Sequence, residues 1–238
     1  MLKILLKLTT LLATISMLTG CAQSNPASDY TVDINPDDFV AVVSNAYFPL
    51  IPGSKWVYTG NADEGTERIE VEVLADTKEV MGVTATVVRD RVHLNEELIE
   101  ETYDWYAQDL EGNVWYLGEE VSNYENGQYA GNAGSWEAGV DGALPGIIMF
   151  ADPAAHLGET YRQEFYKGNA EDMADLLSAS ERVTVPYGSF EAVVQTKDYT
   201  PLEPDLLEYK YYAAGIGMVQ EINPKTGEEV VLVEFSSP

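Results

Sequence analysis

Cys21 is the only cysteine in the 238-residue chain, and it ends the motif Leu18-Thr19-Gly20-Cys21. Small residues directly before a cysteine are typical of a lipoprotein signal, in which a peptidase cleaves before the cysteine and the thiol carries the lipid. A lone thiol in an exported chain has no partner for an internal disulfide, which favours lipid attachment over a structural role. We therefore expect cleavage between Gly20 and Cys21. The alternative is an ordinary signal peptide with a coincidental cysteine.

The residues that precede this motif have the pattern of a secretory signal. Lys3 and Lys7 provide a positive start, and residues 5–18 are mostly apolar but too short and too interrupted by Thr and Ser to span a bilayer. We predict a lipoprotein signal peptide over residues 1–20. Residues 21–35 are rich in Ser, Asn, Pro and Asp, which predicts a flexible, lipidated tether.

Lipid on Cys21 would place the protein in the cell envelope, with a membrane as its first partner. Each buried methylene of an acyl chain contributes about 0.8 kcal/mol, so several chains hold a protein firmly. Ala22 rather than Asp follows the cysteine. In a Gram-negative cell this suits sorting to the outer membrane, facing the periplasm or the exterior. In other cells the expected location is the outer face of the plasma membrane.

The chain is strongly acidic. Its formal net charge is −27, from 40 acidic and 13 basic side chains, and it becomes more negative once Lys3 and Lys7 leave with the signal. Such a surface argues against binding of nucleic acid or of anionic headgroups. It is compatible with divalent cations and cationic partners, although acidity that keeps an envelope protein soluble is the simpler interpretation.

Established catalytic motifs are missing from the sequence. It has no Gly-x-Ser-x-Gly elbow, no Gly-x-Gly-x-x-Gly fingerprint and no Walker-type phosphate loop. The two histidines, His93 and His156, do not have a His-x-x-x-His spacing. Asp109-x-Glu111-x-Asn113 places oxygen ligands at alternate positions but lacks the glycine and glutamate that complete a calcium loop, which favours a hairpin turn. We predict neither a cofactor nor a metal site.

Glu164 is the one candidate for acid–base chemistry. It stands between Arg162 and Tyr166, and Glu171 or Asp172 could partner it in a glycosidase-like pair of carboxylates. The alternative is structural, with Arg162 as the counter-ion of one of these acids. Because nothing in the sequence sets a two-carboxylate spacing, the structural interpretation is favoured.

Aromatic residues are the remaining signal, and tyrosine outnumbers phenylalanine by 15 to 6. Trp105, Trp115, Trp136 and Tyr161 come from different predicted strands, and together they form our candidate binding surface. Such a surface could take a hydrophobic ligand, a glycan or a protein segment. The alternative is that these side chains simply form the core.

Most of the chain after residue 60 has the pattern of β-strands. Ile69, Val71 and Val73 alternate with charged residues, which predicts a strand with one buried face. Turn residues at 109–113 predict a hairpin between two of these strands. The other predicted strands are 84–93, 99–108, 114–121, 160–166, 181–185, 190–197, 207–212, 218–222 and 229–235.

Two short helices and one irregular segment interrupt this pattern. Pro36, followed by two aspartates, predicts a helix start, and a second helix is predicted with Asn169 as its cap and apolar residues at 173, 176 and 177. Residues 122–150 are rich in glycine, and a Pro-Gly turn is expected within 143–150. This crossover is a second place to expect a binding surface; the alternative is that it packs Trp136 and Ile147 into the core.

Three blocks of the sequence, at residues 48–58, 183–193 and 211–219, resemble a group of exported bacterial proteins of uncharacterised function. Their patterns are Phe-Pro-Leu-x-x-Gly-x-x-Trp-x-Tyr, Val-x-Val-Pro-x-Gly-x-Phe and Tyr-Tyr-Ala-x-Gly-x-Gly-x-Val, and their order and spacing cover most of the mature chain. The resemblance implies a curved antiparallel sheet, similar to the half-barrel of lipoprotein-carrier proteins. It implies no catalytic residue.

These observations predict a mainly β protein, with a curved antiparallel sheet or half-barrel and one or two short helices in a single domain over residues 36–238. The expected function is non-catalytic binding of a ligand or partner by a lipid-anchored envelope protein. The alternative is an envelope hydrolase that uses Glu164 and a neighbouring carboxylate.

Overall fold

The computed structural model describes residues 30–62 and 65–238. Strands make up 66% and helices 3%, and the large antiparallel sheet is nearly closed and barrel-shaped. Val32–Pro238 forms one compact unit. The expected mainly β fold with a curved antiparallel sheet is confirmed. The predicted signal peptide, the cleavage site at Gly20 and Cys21, and most of the predicted tether lie outside the described residues.

The first half of the unit contains a short 3₁₀ helix, Pro36–Asp38, followed by eight strands. They are β1 (Phe39–Val40), β2 (Lys55–Ala62), β3 (Gly65–Val80), β4 (Val83–Leu94), β5 (Glu97–Asp109), β6 (Val114–Glu125), β7 (Gln128–Gly131) and β8 (Trp136–Glu137).

The second half contains eight further strands and a 3₁₀ helix, Pro153–His156, between β9 and β10. They are β9 (Leu144–Met149), β10 (Thr160–Arg162), β11 (Glu164–Phe165), β12 (Met173–Val185), β13 (Gly188–Thr200), β14 (Glu203–Ala213), β15 (Gly217–Ile222) and β16 (Glu229–Ser236).

The sheet is built mainly of strands that pair with their neighbours in the chain. Its order is β10-β12-β13-β14-β15-β16-β2-β3-β4-β5-β6-β9-β11, with β1 on β5 and with β7 and β8 on β6. The pairing of β16 with β2 joins the two hairpin series. Because β9 contacts β10 near the two ends of this order, the sheet curves back towards itself.

The predicted alternation of β3 is confirmed by its packing. Ile69 pairs with Val92, and Val73 pairs with Val88, in the register of β3 and β4. All four side chains are buried. Since cross-strand partners lie on the same face of a sheet, this face points into the barrel.

The helix predicted after Asn169 is wrong, because residues 173–185 form β12. Met173, Leu176 and Leu177 have helical spacing, but the segment pairs with β10 on one side and β13 on the other. Pairing of distant strands overrides local propensity here. Leu176 is fully buried, whereas Leu177 on the opposite face is 43% exposed.

The helix predicted at Pro36 is shorter than expected. The 3₁₀ helix ends at Asp38, and the Asn35 side chain accepts a hydrogen bond from the Asp37 amide at its start. Phe39 and Val40 then pair with the end of β5. This pairing stops the helix after one turn.

The glycine-rich crossover over residues 122–150 contains more strand than predicted. It includes the end of β6 and all of β7, β8 and β9. The expected Pro-Gly turn is wrong, since Pro145 and Gly146 lie within β9 and Pro145 pairs with Glu164 of β11. A Cβ atom added to Gly146 would lie 2.4 Å from the backbone carbonyl oxygen of Arg162. The glycine therefore allows a close approach of the two backbones.

Substitution Gly146→Ala should destabilise the protein by about 1 to 3 kcal/mol, because the added methyl group meets backbone that cannot move aside. Gly188→Ala is the matched control, since neither glycine has a positive φ and the nearest atom to its Cβ is a Phe190 ring carbon at 3.6 Å. Chemical denaturation measures both variants. Equal stability of the two variants would contradict the close-approach explanation.

Candidate functional site

The inner face of the barrel carries a row of charged side chains across five strands. Gly60 of β2 pairs with Glu67 of β3 and with Val230 of β16. Val230 pairs in turn with Glu221 of β15, which pairs with Lys210 of β14. Because partners in register share a face, Glu67, Glu221 and Lys210 all point inward.

A second row lies on β4, β5 and β6. Asp104 pairs with Val88 on one side and with Glu119 on the other, and Asp90 shares their face because it lies two residues after Val88. These side chains are buried. We use the name acidic interior for the buried, inward-facing charged residues Glu67, Asp90, Asp104, Glu119, Asp198, Glu208, Lys210 and Glu221.

Lys210 is the centre of an ion-pair cluster within the acidic interior. Its Nζ lies 3.4 Å from Asp198 Oδ2, 3.3 Å from Glu208 Oε2 and 3.5 Å from Glu221 Oε2. Burial alone would lower the pKa of Lys210, but the three carboxylates outweigh it and raise the pKa well above its usual value. The ammonium is therefore charged, and it joins β13, β14 and β15 from the inside.

Glu221, Glu208 and Asp90 of the acidic interior resist ionisation. Burial raises the pKa of Glu221 well above its usual value, and Glu208 raises it further despite the nearby Lys210. Burial also raises the pKa of Glu208. The pKa of Asp90 is raised well above its usual value by burial and then by Asp104. A buried carboxylate of this kind becomes charged only with the help of additional positive charge.

Aromatic rings complete the inner wall. The Tyr116 hydroxyl donates to Asp104 Oδ1 at 2.6 Å. Tyr106 stacks on Tyr116 with ring centroids 4.9 Å apart, and Phe48 contacts both Tyr106 and Tyr212. Burial raises the pKa of every inner tyrosine well above its usual value, so they remain neutral hydroxyl groups. The inner tyrosines are Tyr58, Tyr106, Tyr116, Tyr161 and Tyr212.

Several buried polar atoms of this wall have no hydrogen-bond partner within residues 30–62 and 65–238. Buried polar groups are nearly always paired, and each unpaired one costs about 1 to 3 kcal/mol. Their concentration in one interior therefore marks our candidate functional site. The atoms are Asp90 Oδ1, Tyr161 OH, Gln163 Oε1, Asp198 Oδ1 and Glu221 Oε1.

Two of the four predicted aromatic site residues belong to this interior. Trp136 is buried, and its ring contacts Tyr116 edge-on at 5.3 Å. Tyr161 pairs with Ala174 of β12, and its ring contacts Phe150 at 4.8 Å. Both residues thus contribute to the inner wall.

The other two predicted aromatic residues lie on the outer face. Lys78 Nζ lies 4.0 Å above the Trp105 ring, which is covered on that side. The indole N–H of Trp115 donates to Asp109 at 2.8 Å. The four aromatic residues therefore do not share one surface.

Trp115 borders a pocket of about 390 Å³ on the outer face. Phe39 and Leu110 supply its apolar part, and Asp38 and Glu111 are among its acidic residues. Asp109 is already engaged, because it accepts hydrogen bonds from the backbone and side-chain nitrogens of Asn113. The segment is the predicted hairpin turn between β5 and β6.

Glu164 lies in β11, opposite Pro145, and is fully buried. The Arg162 guanidinium donates to the backbone oxygen of Glu171 at 3.3 Å. The Glu171 carboxylate accepts the Gly168 backbone N–H at 2.9 Å. These contacts favour the structural interpretation of the segment over a pair of catalytic carboxylates.

Neither a metal centre nor a membrane helix is found in the part of the chain that the structure describes. No group of three or more His, Cys, Asp and Glu side chains there is placed to hold a metal ion. No helix there is both long and apolar enough to cross a membrane.

The sequence patterns did not single out the acidic interior. A usable signal exists in two strands, since Glu221 alternates with Val219, and Lys210 alternates with Tyr212, at positions that are buried. A charged residue in phase with the apolar face of a strand is therefore the sign of an inward-facing charge.

Glu67 provides a pH test of the acidic interior. Its pKa is raised from 4.5 to about 7, first by burial and then by the Glu228 carboxylate. Between these values the folded state keeps a proton that the unfolded state releases, so stability falls as pH rises. At about 1.4 kcal/mol per pKa unit, full ionisation costs at most about 3.5 kcal/mol, and less where solvent reaches the carboxylate. Glu67→Gln should therefore lose less stability than the wild type between pH 5 and pH 8.

Denaturant titrations at the two pH values measure this difference. Glu79→Gln, at an exposed position of the same strand, should keep the wild-type pH dependence. An identical loss in wild type and Glu67→Gln would show that Glu67 is not the titrating group.

The three sequence blocks meet in the structure. The Trp56 indole N–H donates to the backbone oxygen of Ile216 at 2.8 Å, and the Tyr58 hydroxyl donates to the backbone oxygen of Met218 at 3.0 Å. The Tyr187 ring contacts Phe235, whose ring also contacts Trp56. No protein-family model, curated protein or solved structure matches the chain. The resemblance carried by these blocks therefore stays a prediction.

Proposed function

We propose that this chain is a non-catalytic binding protein of the cell envelope, held on a membrane by lipid on Cys21, and that its barrel interior receives a small polar ligand. The observation that carries the proposal is the set of buried, unpaired polar atoms on the inner wall. Asp90 of β4, Tyr161 of β10 and Glu221 of β15 contribute such atoms from different parts of the sheet. The polar wall favours a polar ligand over a purely hydrophobic one.

Each of these unpaired atoms lowers the stability of the fold. A fold gains nothing from a buried hydroxyl or carboxylate that makes no hydrogen bond. A bound molecule that pairs with them recovers this loss, and it does so without reorganisation because the strands hold the side chains in fixed rows. Ligand sites commonly combine an enclosed barrel with a few convergent polar groups.

The hydrolase alternative has less support. A glycosidase needs two carboxylates on either side of a bond in an accessible cleft. Glu164 is fully buried, and the Glu171 carboxylate is engaged by a backbone amide. Turnover of an envelope polysaccharide that is lost in Glu164→Gln would favour this alternative over the binding function.

The anchor is tested by labelling cells with an alkyne fatty acid. Wild type and Ser24→Ala should carry the label, whereas Cys21→Ala should carry none, because Cys21 is the only thiol. Mass spectrometry of the amino-terminal peptide gives the site of attachment. An unmodified peptide that begins at Met1 in wild-type protein would contradict the proposal.

The ligand is sought by native mass spectrometry of the full chain, purified from membranes without denaturation. Wild-type protein should retain a small molecule, and Tyr161→Phe should retain about fivefold less, since one hydrogen bond contributes about 1 kcal/mol. Tyr209→Phe is the control, because Tyr209 pairs with Lys197 and Ile222 on the outer face. Absence of any retained molecule, or equal loss in both variants, would count against a site in the barrel.

A further inference from the structure

We infer that the ligand of the barrel interior is a small organic cation that carries one or more protonated amine or guanidinium groups. This inference rests on the proposed function and specifies its ligand. It is argued from the charge of the inner wall, the state of Lys210 and the position of the unpaired carboxylate oxygens.

The inner wall is far more acidic than basic. Among the described residues, Glu67 and Glu221 lie in one row and Asp90 lies in another, and all three are buried. Among the inward-facing residues that the structure describes, Lys210 is the one buried lysine. A ligand that entered with negative charge would meet repulsion from both rows.

Lys210 does not neutralise the carboxylates of the second row, which lies on β4, β5 and β6. Its ion pairs are with Asp198, Glu208 and Glu221, which all lie on β13, β14 and β15. Asp90 lies on β4, and its Oδ1 has no hydrogen-bond partner within the described residues. Lys210 therefore does not supply the positive charge that would let Asp90 ionise.

Asp90 and Glu221 lie on opposite sides of Tyr58 in the sheet, because β4 and β15 are each two strands away from β2. The pKa of Tyr58 is raised by burial and then by the carboxylates of Asp90 and Glu221, so both carboxylates are close enough to interact with the ring. Asp90 Oδ1 and Glu221 Oε1 can accept hydrogen bonds. A ligand that pairs with both oxygens needs a donor at each end.

A cation satisfies these oxygens better than a neutral donor does. An ammonium or guanidinium group donates several hydrogen bonds and also supplies the charge that lets a buried carboxylate ionise. The stacked Tyr106 and Tyr116 rings add an aromatic surface to the same wall, and such surfaces attract organic cations. The described carboxylates do not form a metal-binding group, which favours an organic cation over a metal ion.

Isothermal titration calorimetry on the full chain in lipid nanodiscs, at 150 mM salt, tests the inference. The cationic probes are 1,4-diaminobutane and agmatine, and the matched neutral and anionic probes are 1,4-butanediol and succinate. At least one cationic probe should bind tenfold or more tightly than the diol, and succinate should not bind.

Three variants separate the interior from the acidic surface. Asp90→Asn and Glu221→Gln should each weaken binding of the cation at least tenfold. Asp76→Asn, at an exposed position of β3, should leave it unchanged. Thermal melting checks that the variants fold, and either interior variant alone suffices for the comparison.

The outcomes distinguish this inference from the function on which it rests. Cation binding that is unchanged in both interior variants is surface binding, and it overturns the inference. Butanediol binding as tightly as the amines overturns the charge requirement but supports a polar-ligand site. Failure of both cationic probes overturns the inference, and the binding function itself falls only if native protein also retains no small molecule.

Discussion

The cluster of Lys210 with Asp198, Glu208 and Glu221 is the interaction on which the interior depends. It places one positive charge among three buried carboxylates, at distances of 3.3 to 3.5 Å. Removing one partner of such a pair leaves an uncompensated buried charge, which usually destabilises a protein by several kcal/mol. The cluster therefore fixes the relative positions of the neighbouring strands β13, β14 and β15.

Burial of so many polar groups distinguishes this barrel from one filled by apolar side chains. Apolar residues such as Ile69, Val92 and Leu232 occupy part of the inner face, and they supply the hydrophobic stabilisation that any such fold needs. The charged and hydroxyl groups lie in the same rows. The inner wall therefore combines apolar burial with buried polar and charged groups.

Much of the fold was predictable from the sequence, because period-two patterns act locally. The alternation at 69–73 and the turn residues at 109–113 correctly predict β3 and the β5–β6 hairpin. The helix predicted after Asn169 failed because β12 is formed by pairing with strands far along the chain. Lys210 is in phase with the buried Tyr212, which indicates its inward position, but its ion pairs with Asp198 and Glu221 depend on strand pairing that local patterns do not give. The aromatic residues were separated for a related reason, because a register shift at Trp105 and Tyr106 changes which side chains point inward.

The pairing of β16 with β2 has a consequence for how the protein is made. These strands lie about as far apart in sequence as the described unit allows, and their register joins Val230 to Gly60. Contacts between such distant segments are slow to form. Until β16 pairs with β2, one edge of β2 carries unpaired backbone groups that can join another chain. The last strand of the chain is therefore the one that removes an aggregation-prone edge from the first hairpin.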